Sequence, residues 1–174
     1  MNLEKWDVYD ENGINTGKVT VRGQDSLRAG EFHLVVHIWI LSSAGNILIQ
    51  RRSDTKKLMP GEWAATGGAA ISGEDSFTAA SRELFEELGI ESDKLTLKNL
   101  LRIKRRNSFL DVWFIEKNVF VRDLKLQKSE VAEAKWVSRK QLFDMIEKGT
   151  FHNYGNEYFS KIFEKIDELK GATV

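Results

Sequence analysis

The sequence predicts an α/β sandwich built on a mixed β-sheet, and three observations predict it. Strand-like segments dominate residues 3–66 and 95–138, while a helical period interrupts them at residues 75–89. Two amphipathic helices close the chain at residues 139–148 and 155–170. Strands and helices do not alternate as regular βαβ units, which makes the sheet mixed rather than uniformly parallel. The 174 residues, 41% hydrophobic and 30% charged, amount to a single domain spanning 1–174. That length buries a core without disulfide or metal staples.

Taken in order, residues 3–9 (LEKWDVY) alternate as a strand and residues 17–22 (GKVTVR) return from it. The intervening Glu11-Asn12-Gly13 is a turn, with Asn-Gly supplying the positive φ of a tight hairpin. Residues 32–41 (FHLVVHIWIL) are the strongest strand signal, rich in β-branched and aromatic side chains. Ser42 to Asn46 turn the chain into a partner strand, NILIQRR. Residues 53–62 are a polar loop, Trp63 to Thr66 a short strand, and Gly67-Gly68 a glycine pair. Over residues 75–89, Phe77, Ala80, Leu84 and Leu88 form one apolar stripe. Ser72 or Asp75 caps this helix and Gly89 stops it. Residues 95–106 and 110–121 read as a second hairpin, and 133–138 as a last strand.

Composition excludes several kinds of chemistry. The chain has no cysteine, so disulfides, thiolate nucleophiles and cysteine-bound zinc are out. Twenty-six basic residues balance twenty-six acidic ones. No global field draws the protein to nucleic acid or to anionic membrane. The first residues lack the apolar core of a signal peptide, and no apolar run approaches the ~18 residues of a membrane span. The expectation is a cytoplasmic protein with neither nucleic acid nor membrane as partner.

The chemistry sits between Gly68 and Ile90, in GAAISGEDSFTAASRELFEELGI. Glu83, Glu86 and Glu87 stand at i, i+3 and i+4 on one helix, within about a 100° arc. Like charges so placed repel, and a cation between them removes that cost. The acid stripe also lies only about 100° from the apolar stripe. That puts it at the edge of the core, where a cleft wall runs, instead of opposite the core. Oxygen ligands alone suit a hard cation such as Mg²⁺. The alternative is an ordinary solvated helix face. The full segment weighs against it: Gly68, Glu74, Arg82-Glu83, Leu84, Glu86-Glu87, Gly89 and Ile90 match GX5EX7REUXEEXGU (U aliphatic) at every defined position. Such a match arises by chance with a probability on the order of 10⁻⁷.

That pattern is the Nudix box, and the chain resembles Nudix hydrolases. The resemblance implies an α/β/α sandwich with a loop–helix–loop catalytic motif, and hydrolysis of a diphosphate bond by a metal-activated water. Mg²⁺ is the implied cofactor, with Mn²⁺ able to substitute. The implied metal set is Gly68, Glu83, Glu86 and Glu87. Glu86 and Glu87 are the direct ligands and Glu83 the base or water orienter. Arg82 resembles the arginine that orients these acids and can also bridge to Glu86; Glu74 resembles a structural loop glutamate. Glu130, ahead of Val131 and the Trp136-Val137 strand, resembles an acid that reaches the site from a neighbouring loop. The alternative for it is a solvated loop residue. The implied partner is a small-molecule diphosphate, and a homodimer is an assembly the family often uses.

Other signals are weaker. Arg51 and Arg52 end a strand just ahead of the box, and arginine forks suit phosphate oxygens; a solvated strand end explains them equally well. Lys56 and Lys57 carry less weight. Arg102, Lys104, Arg105 and Arg106 read better as hairpin decoration than as phosphate ligands, and Trp39, Trp63 and Phe109 better as core than as stacking platforms.

Residues 4–90 also resemble the N-terminal half of isopentenyl-diphosphate isomerases, through WDVYDENGINTGKVTVRG, EFHLVVHIWI, LIQRR and PGEWAATGG. His33 falls where those enzymes place a metal-binding histidine. Their acid/base cysteine is missing, however: Ala64-Ala65-Thr66-Gly67 stands there. Isomerase chemistry is therefore disfavoured, and His33 reads as a strand histidine on the same face as His37. A third class, a diphosphate-sensing module without turnover, fits a degraded box better than this intact one. The substrate has no readable motif.

Overall fold

The computed structural model describes residues 3–171. Residues 1–2 and 172–174 of the expected domain lie outside the described residues. Nine strands and three helices follow the anticipated order. β1 (Lys5–Tyr9) and β2 (Asn15–Val21) make a two-stranded hairpin apart from the main sheet. Its turn differs from the tight Asn-Gly turn of the sequence reading. Gly13 alone among its residues has positive φ (78°). The Asp10 carboxylate accepts the N–H groups of Asn12 and Ile14, each at 2.9 Å, and this side chain closes a wider loop than a two-residue turn allows.

The main sheet contains β3 (His33–Leu41), β4 (Ile47–Arg52), β5 (Trp63–Ala64), β6 (Thr66–Ala69), β7 (Lys98–Lys104), β8 (Ser108–Glu116) and β9 (Val131–Val137). β3 and β8 run parallel in full register, from His33↔Ser108 to Leu41↔Glu116. Every other pairing between these strands is antiparallel, so the sheet is mixed as expected. β8 stops at Glu116, short of the predicted residue 121, because its neighbour β3 ends there. A single 3₁₀ turn (Val121–Asp123) follows within a long loop.

Where one short strand was expected at residues 63–66, there are two. Ala65 separates β5 from β6, and the glycine pair lies inside β6, opposite Val36 and His37. A Cβ on Gly67 would sit 2.2 Å from the Val36 carbonyl oxygen. Only glycine lets the two backbones close to pairing distance.

Period-two alternation along β3 builds both cores. Leu34, Val36, Ile38 and Ile40 face α1 (Ser76–Leu88), where they meet Ala80, Leu84 and Leu88. On the other face, Trp39 and Leu41 pack under α3 (Asn156–Gly171) against Phe159, Ile162 and Phe163. α2 (Arg139–Glu147) flanks that side through Leu142. With helices on both faces, the layers are α/β/α. Near the start of β3, the odd-numbered side chains His33, Val35 and His37 on the second face line a cavity.

Candidate active site

α1 begins where Asp75 accepts the Thr78 N–H at 2.7 Å and ends at Gly89, whose φ of 71° is left-handed. Beyond it, the Lys125 and Gln127 N–H groups donate to the Leu88 and Glu87 carbonyls at 3.0 and 3.3 Å. The loop before β9 thus satisfies the helix C-terminus, which would otherwise leave unpaired carbonyls. The same docking carries Glu130 over the helix, and the Glu130 carbonyl accepts the Ser53 N–H at 2.8 Å.

Glu83, Glu86 and Glu87 all line one cavity of about 340 Å³, together with Arg82, Gly68 and Glu130. Their exposures differ. The Glu86 side chain is 46% exposed and that of Glu83 14%, while Glu87 is 3% exposed. Glu87 accepts the Gln50 side-chain amide at 2.8 Å and the Gly67 N–H at 3.1 Å. Burial outweighs those bonds and, with the nearby Glu83, pushes its carboxyl up to about 8. Burial also raises Glu83, opposed by Arg82. Gly68 explains its own identity: a Cβ there would meet Glu83 Oε1 at 2.3 Å, so any side chain would displace that carboxylate.

Arg82 wires the acids together. It grips both oxygens of Glu74 (2.7 and 3.0 Å), then Glu83 (2.8 Å) and Glu86 (3.0 Å), and it donates to the Ala69 carbonyl at 3.1 Å. These bonds hold the guanidinium's pKa above its ordinary value, the Glu74 pair foremost. Glu74 also accepts the Ile71 N–H at 3.0 Å, so it ties the loop to the helix.

The donor set fits a hard divalent cation. All the candidate side-chain ligands are carboxylates, and Gln50 Oε1 nearby is buried without a hydrogen-bond partner. Among the described residues no three acids or histidines already form a closed metal cage. Arg82 holds one oxygen each of Glu83 and Glu86 and leaves the other oxygen of each without a bond to it.

Of the two strand-end arginines, only Arg52 lines the cavity. Arg51 lies on the other face of β4, bound to Asp54 (3.0 Å) and Glu133 (3.7 Å). Arg102 is committed to the buried Asp111 through two bonds of 2.6 and 2.7 Å. His33 and His37 do share a face, and burial lowers their pKa values to about 4 and about 3. Tyr158 accepts the Trp39 indole N–H at 3.0 Å and lies 2.7 Å from His37 Nδ1. The hydroxyl of Tyr158 thus joins the neutral His37 ring to the Trp39 indole.

The structure also brings in a residue the sequence reading gave little weight, Lys56, and others it did not single out. Lys56 forms an ion pair with Glu130, and Glu4 and Arg22 of the N-terminal segment line the same cavity. Gln50 had one local signal, a polar side chain inside the apolar run ILIQ. Glu4 and Arg22 had none, because only the folded hairpin brings them there.

A mixed sheet between helices, with a loop–helix–loop of converging carboxylates, defines a class, and the chain belongs to it: the NUDIX domain profile matches residues 31–156, and the protein is a Nudix hydrolase. An uncharacterised Nudix hydrolase of Listeria monocytogenes is 40% identical over 172 residues, covering 98% of each chain. An isopentenyl-diphosphate Delta-isomerase of Streptomyces coelicolor is 28% identical, covering 96% of this chain and 87% of its own. The isomerase likeness thus extends well past residue 90. Among solved structures, a Deinococcus radiodurans protein superposes with a TM-score of 0.75 at 26% identity, covering 91% of this chain and 97% of its own. Among the described residues, no helix is long and apolar enough to cross a membrane.

Proposed function

We propose that the protein hydrolyses the diphosphate bond of a small organic diphosphate, with Mg²⁺ or Mn²⁺ held by Glu86 and Glu87 and assisted by Gly68. The observation that carries this reading is the convergence of Glu83, Glu86, Glu87 and Glu130 on one cavity that Arg22, Arg52 and Lys56 also line. The acids suit a cation, and the basic side chains suit phosphate oxygens.

When bound, the divalent ion supplies charge neutralisation and lowers the pKa of a coordinated water. The chain's residues do the rest. Glu83 takes the proton of the attacking water, and burial favours this by raising its basicity. The water oxygen bonds to phosphorus, the bridging P–O bond breaks, and the leaving phosphate carries off that electron pair. Arg52 and Lys56 hold the non-bridging oxygens, and Arg82 fixes Glu83 so that its geometry is set before substrate arrives.

The test is phosphate or nucleotide release across a panel of diphosphates with Mg²⁺ or Mn²⁺, repeated with Glu87→Gln. Turnover that collapses in the variant supports the reading. No turnover on any substrate, or turnover indifferent to Glu87→Gln, ends it. The isomerase alternative stays disfavoured because no cysteine is available as its acid/base. Conversion of isopentenyl diphosphate to its allylic isomer would reinstate it.

A further inference from the structure

We infer that the N-terminal hairpin is the specificity element of this enzyme: through Trp6 and Arg22 it completes a chamber beside the carboxylates that takes the nucleoside of a nucleoside diphosphate-type substrate. This inference rests on the diphosphate reading above.

The hairpin lies outside the matched segment 31–156, and it does little for the core. Of its apolar strand residues only Val8 is fully buried, while Val19 is half exposed. A lone two-stranded hairpin is barely stable in water, so this one persists by what it docks against. Its inner end is a closed unit. The Trp6 ring stacks on His33 with centroids 4.2 Å apart and planes 10° apart. Arg22 lies over Trp6 at 5.7 Å. Glu4 joins them, accepting the Trp6 indole N–H at 2.8 Å and an Arg22 N–H at 2.7 Å.

This unit walls a cavity of about 570 Å³, within the usual size range of a small-molecule site. The cavity adjoins the acidic one: Arg22, Arg52 and Gly67 to Ala69 line both. The two differ in chemistry. No carboxylate lines the larger chamber, whereas Arg22, Arg52 and Arg105 do. Its histidines at positions 33 and 37 are neutral at pH 7. Val35, Met59 and Tyr154 give it apolar and aromatic walls, while Arg105, His152 and Asn153 give it hydrogen-bonding groups. Met59, which lines the chamber, is the one non-glycine among the described residues with positive φ (52°), a conformation that costs on the order of 1 kcal/mol.

A flat heterocycle with polar edges matches such a lining. An isoprenoid tail would bury the Arg105 guanidinium without a partner. With the base in the chamber, the attached phosphates pass Arg22 and Arg52 and reach the carboxylates.

The test uses the full-length protein in Mg²⁺ buffer and calorimetric titration with AMP, GMP, CMP and UMP, against ribose 5-phosphate. None of these has a diphosphate bond to cut. At least one nucleotide should bind about tenfold or more tighter than ribose 5-phosphate. Trp6→Ala and Arg22→Gln should each erase most of that preference, and Trp6→Phe should keep it. In turnover, Trp6→Ala should raise KM about tenfold for the preferred nucleoside diphosphate and leave kcat within about threefold. If the wild type binds nucleotides in this pattern yet cuts no diphosphate, the hydrolase reading falls and the chamber stands. If it cuts diphosphates while the base, Trp6 and Arg22 each change affinity less than about twofold, the chamber assignment is wrong and the hydrolase reading stands.

Discussion

The two halves of the cleft meet along Gly67 to Ala69 and are built in opposite ways. The acidic half takes its centre from one continuous segment, Gly68, Glu74 and the α1 side chains Arg82, Glu83, Glu86 and Glu87, with Arg52, Lys56 and Glu130 added from neighbouring loops and strand ends. Arg82 holds it together through bonds no longer than 3.1 Å. The nucleoside chamber is gathered from distant stretches: the N-terminal hairpin, β3, the loop at 53–62, the β7–β8 turn and residues 152–154. The first half is prewired for one reaction. The second can change residue by residue without touching that wiring. Reaction and selectivity therefore rest on separable parts, and substitutions can show whether they separate.

The largest effect should come from the acidic half. Glu87→Gln keeps the shape of a side chain that is 3% exposed and removes its charge. Turnover should fall about 10³-fold or more, in line with losing a principal group at a metal-assisted site. Gly68→Ala should rank next, near 10²-fold, because the new Cβ meets Glu83 Oε1 at 2.3 Å and a displacement of about an ångström is that costly. Steady-state kinetics read both, and with Glu87→Gln nucleotide affinity in the chamber should barely move. A loss of nucleotide binding equal to the loss of turnover would show that the halves are not separable.

Arg82→Ala tests the wiring itself. It leaves Glu74 and Glu83 largely desolvated without their cation. Chemical denaturation should show a loss of about 2–3 kcal/mol, below the full penalty for breaking a buried pair because the guanidinium is partly solvated. A loss under about 0.5 kcal/mol would mean the network is ornamental.

What could be read in advance follows the same division. Helix periodicity and a contiguous motif located Glu83, Glu86 and Glu87, because side-chain direction on a helix is fixed by 3.6 residues per turn. The same logic on strands, with period two, could have separated Arg51 from Arg52. Neighbours on a strand face opposite ways, so only one of them could reach the cavity. Gln50, on the same side as Arg52, was open to the same inference. The mixed sheet and its two helical layers were legible from the strand and helix patterns. The extra strand β6 was not, because Gly67 and Gly68 carry no strand signal and Gly67 pairs with β3 only through its lack of a Cβ. Trp6, Arg22 and Glu4 had no local signature at all, since their role depends on where a hairpin docks.

The arginine pair gives a smaller and cleaner contrast. Arg52→Gln should raise KM for a diphosphate substrate about tenfold through loss of a phosphate contact. Arg51→Gln should change it less than about twofold, since that side chain is held by Asp54 and Glu133 outside the cavity. Equal effects would sink the assignment of Arg52 as the phosphate ligand.

The subtlest difference between the halves is their response to pH in metal-free protein. Glu87, raised to about 8 in the fold from an ordinary 4.5, keeps a proton that the unfolded chain has already lost between those values. Its contribution to stability therefore falls as pH rises from 4.5 to 8. His33 and His37, lowered to about 4 and about 3 from 6.5, act in reverse. The unfolded chain binds protons there that the fold refuses, so their contribution grows as pH rises toward 6.5 and is complete above it. Together these groups place the maximum of Tm against pH near 6.5, with the acidic half responsible for the fall above it. Glu87→Gln should flatten that alkaline fall while leaving the acid limb as it was, and His33→Asn should soften only the acid limb. Added Mg²⁺ should reverse the alkaline slope, because the carboxylate must lose its proton to bind a cation and the cation binds more tightly as that proton leaves. Melting curves from pH 5 to 9, with and without Mg²⁺, decide it: an alkaline limb untouched by Glu87→Gln would show that Glu87 is ionised throughout this range.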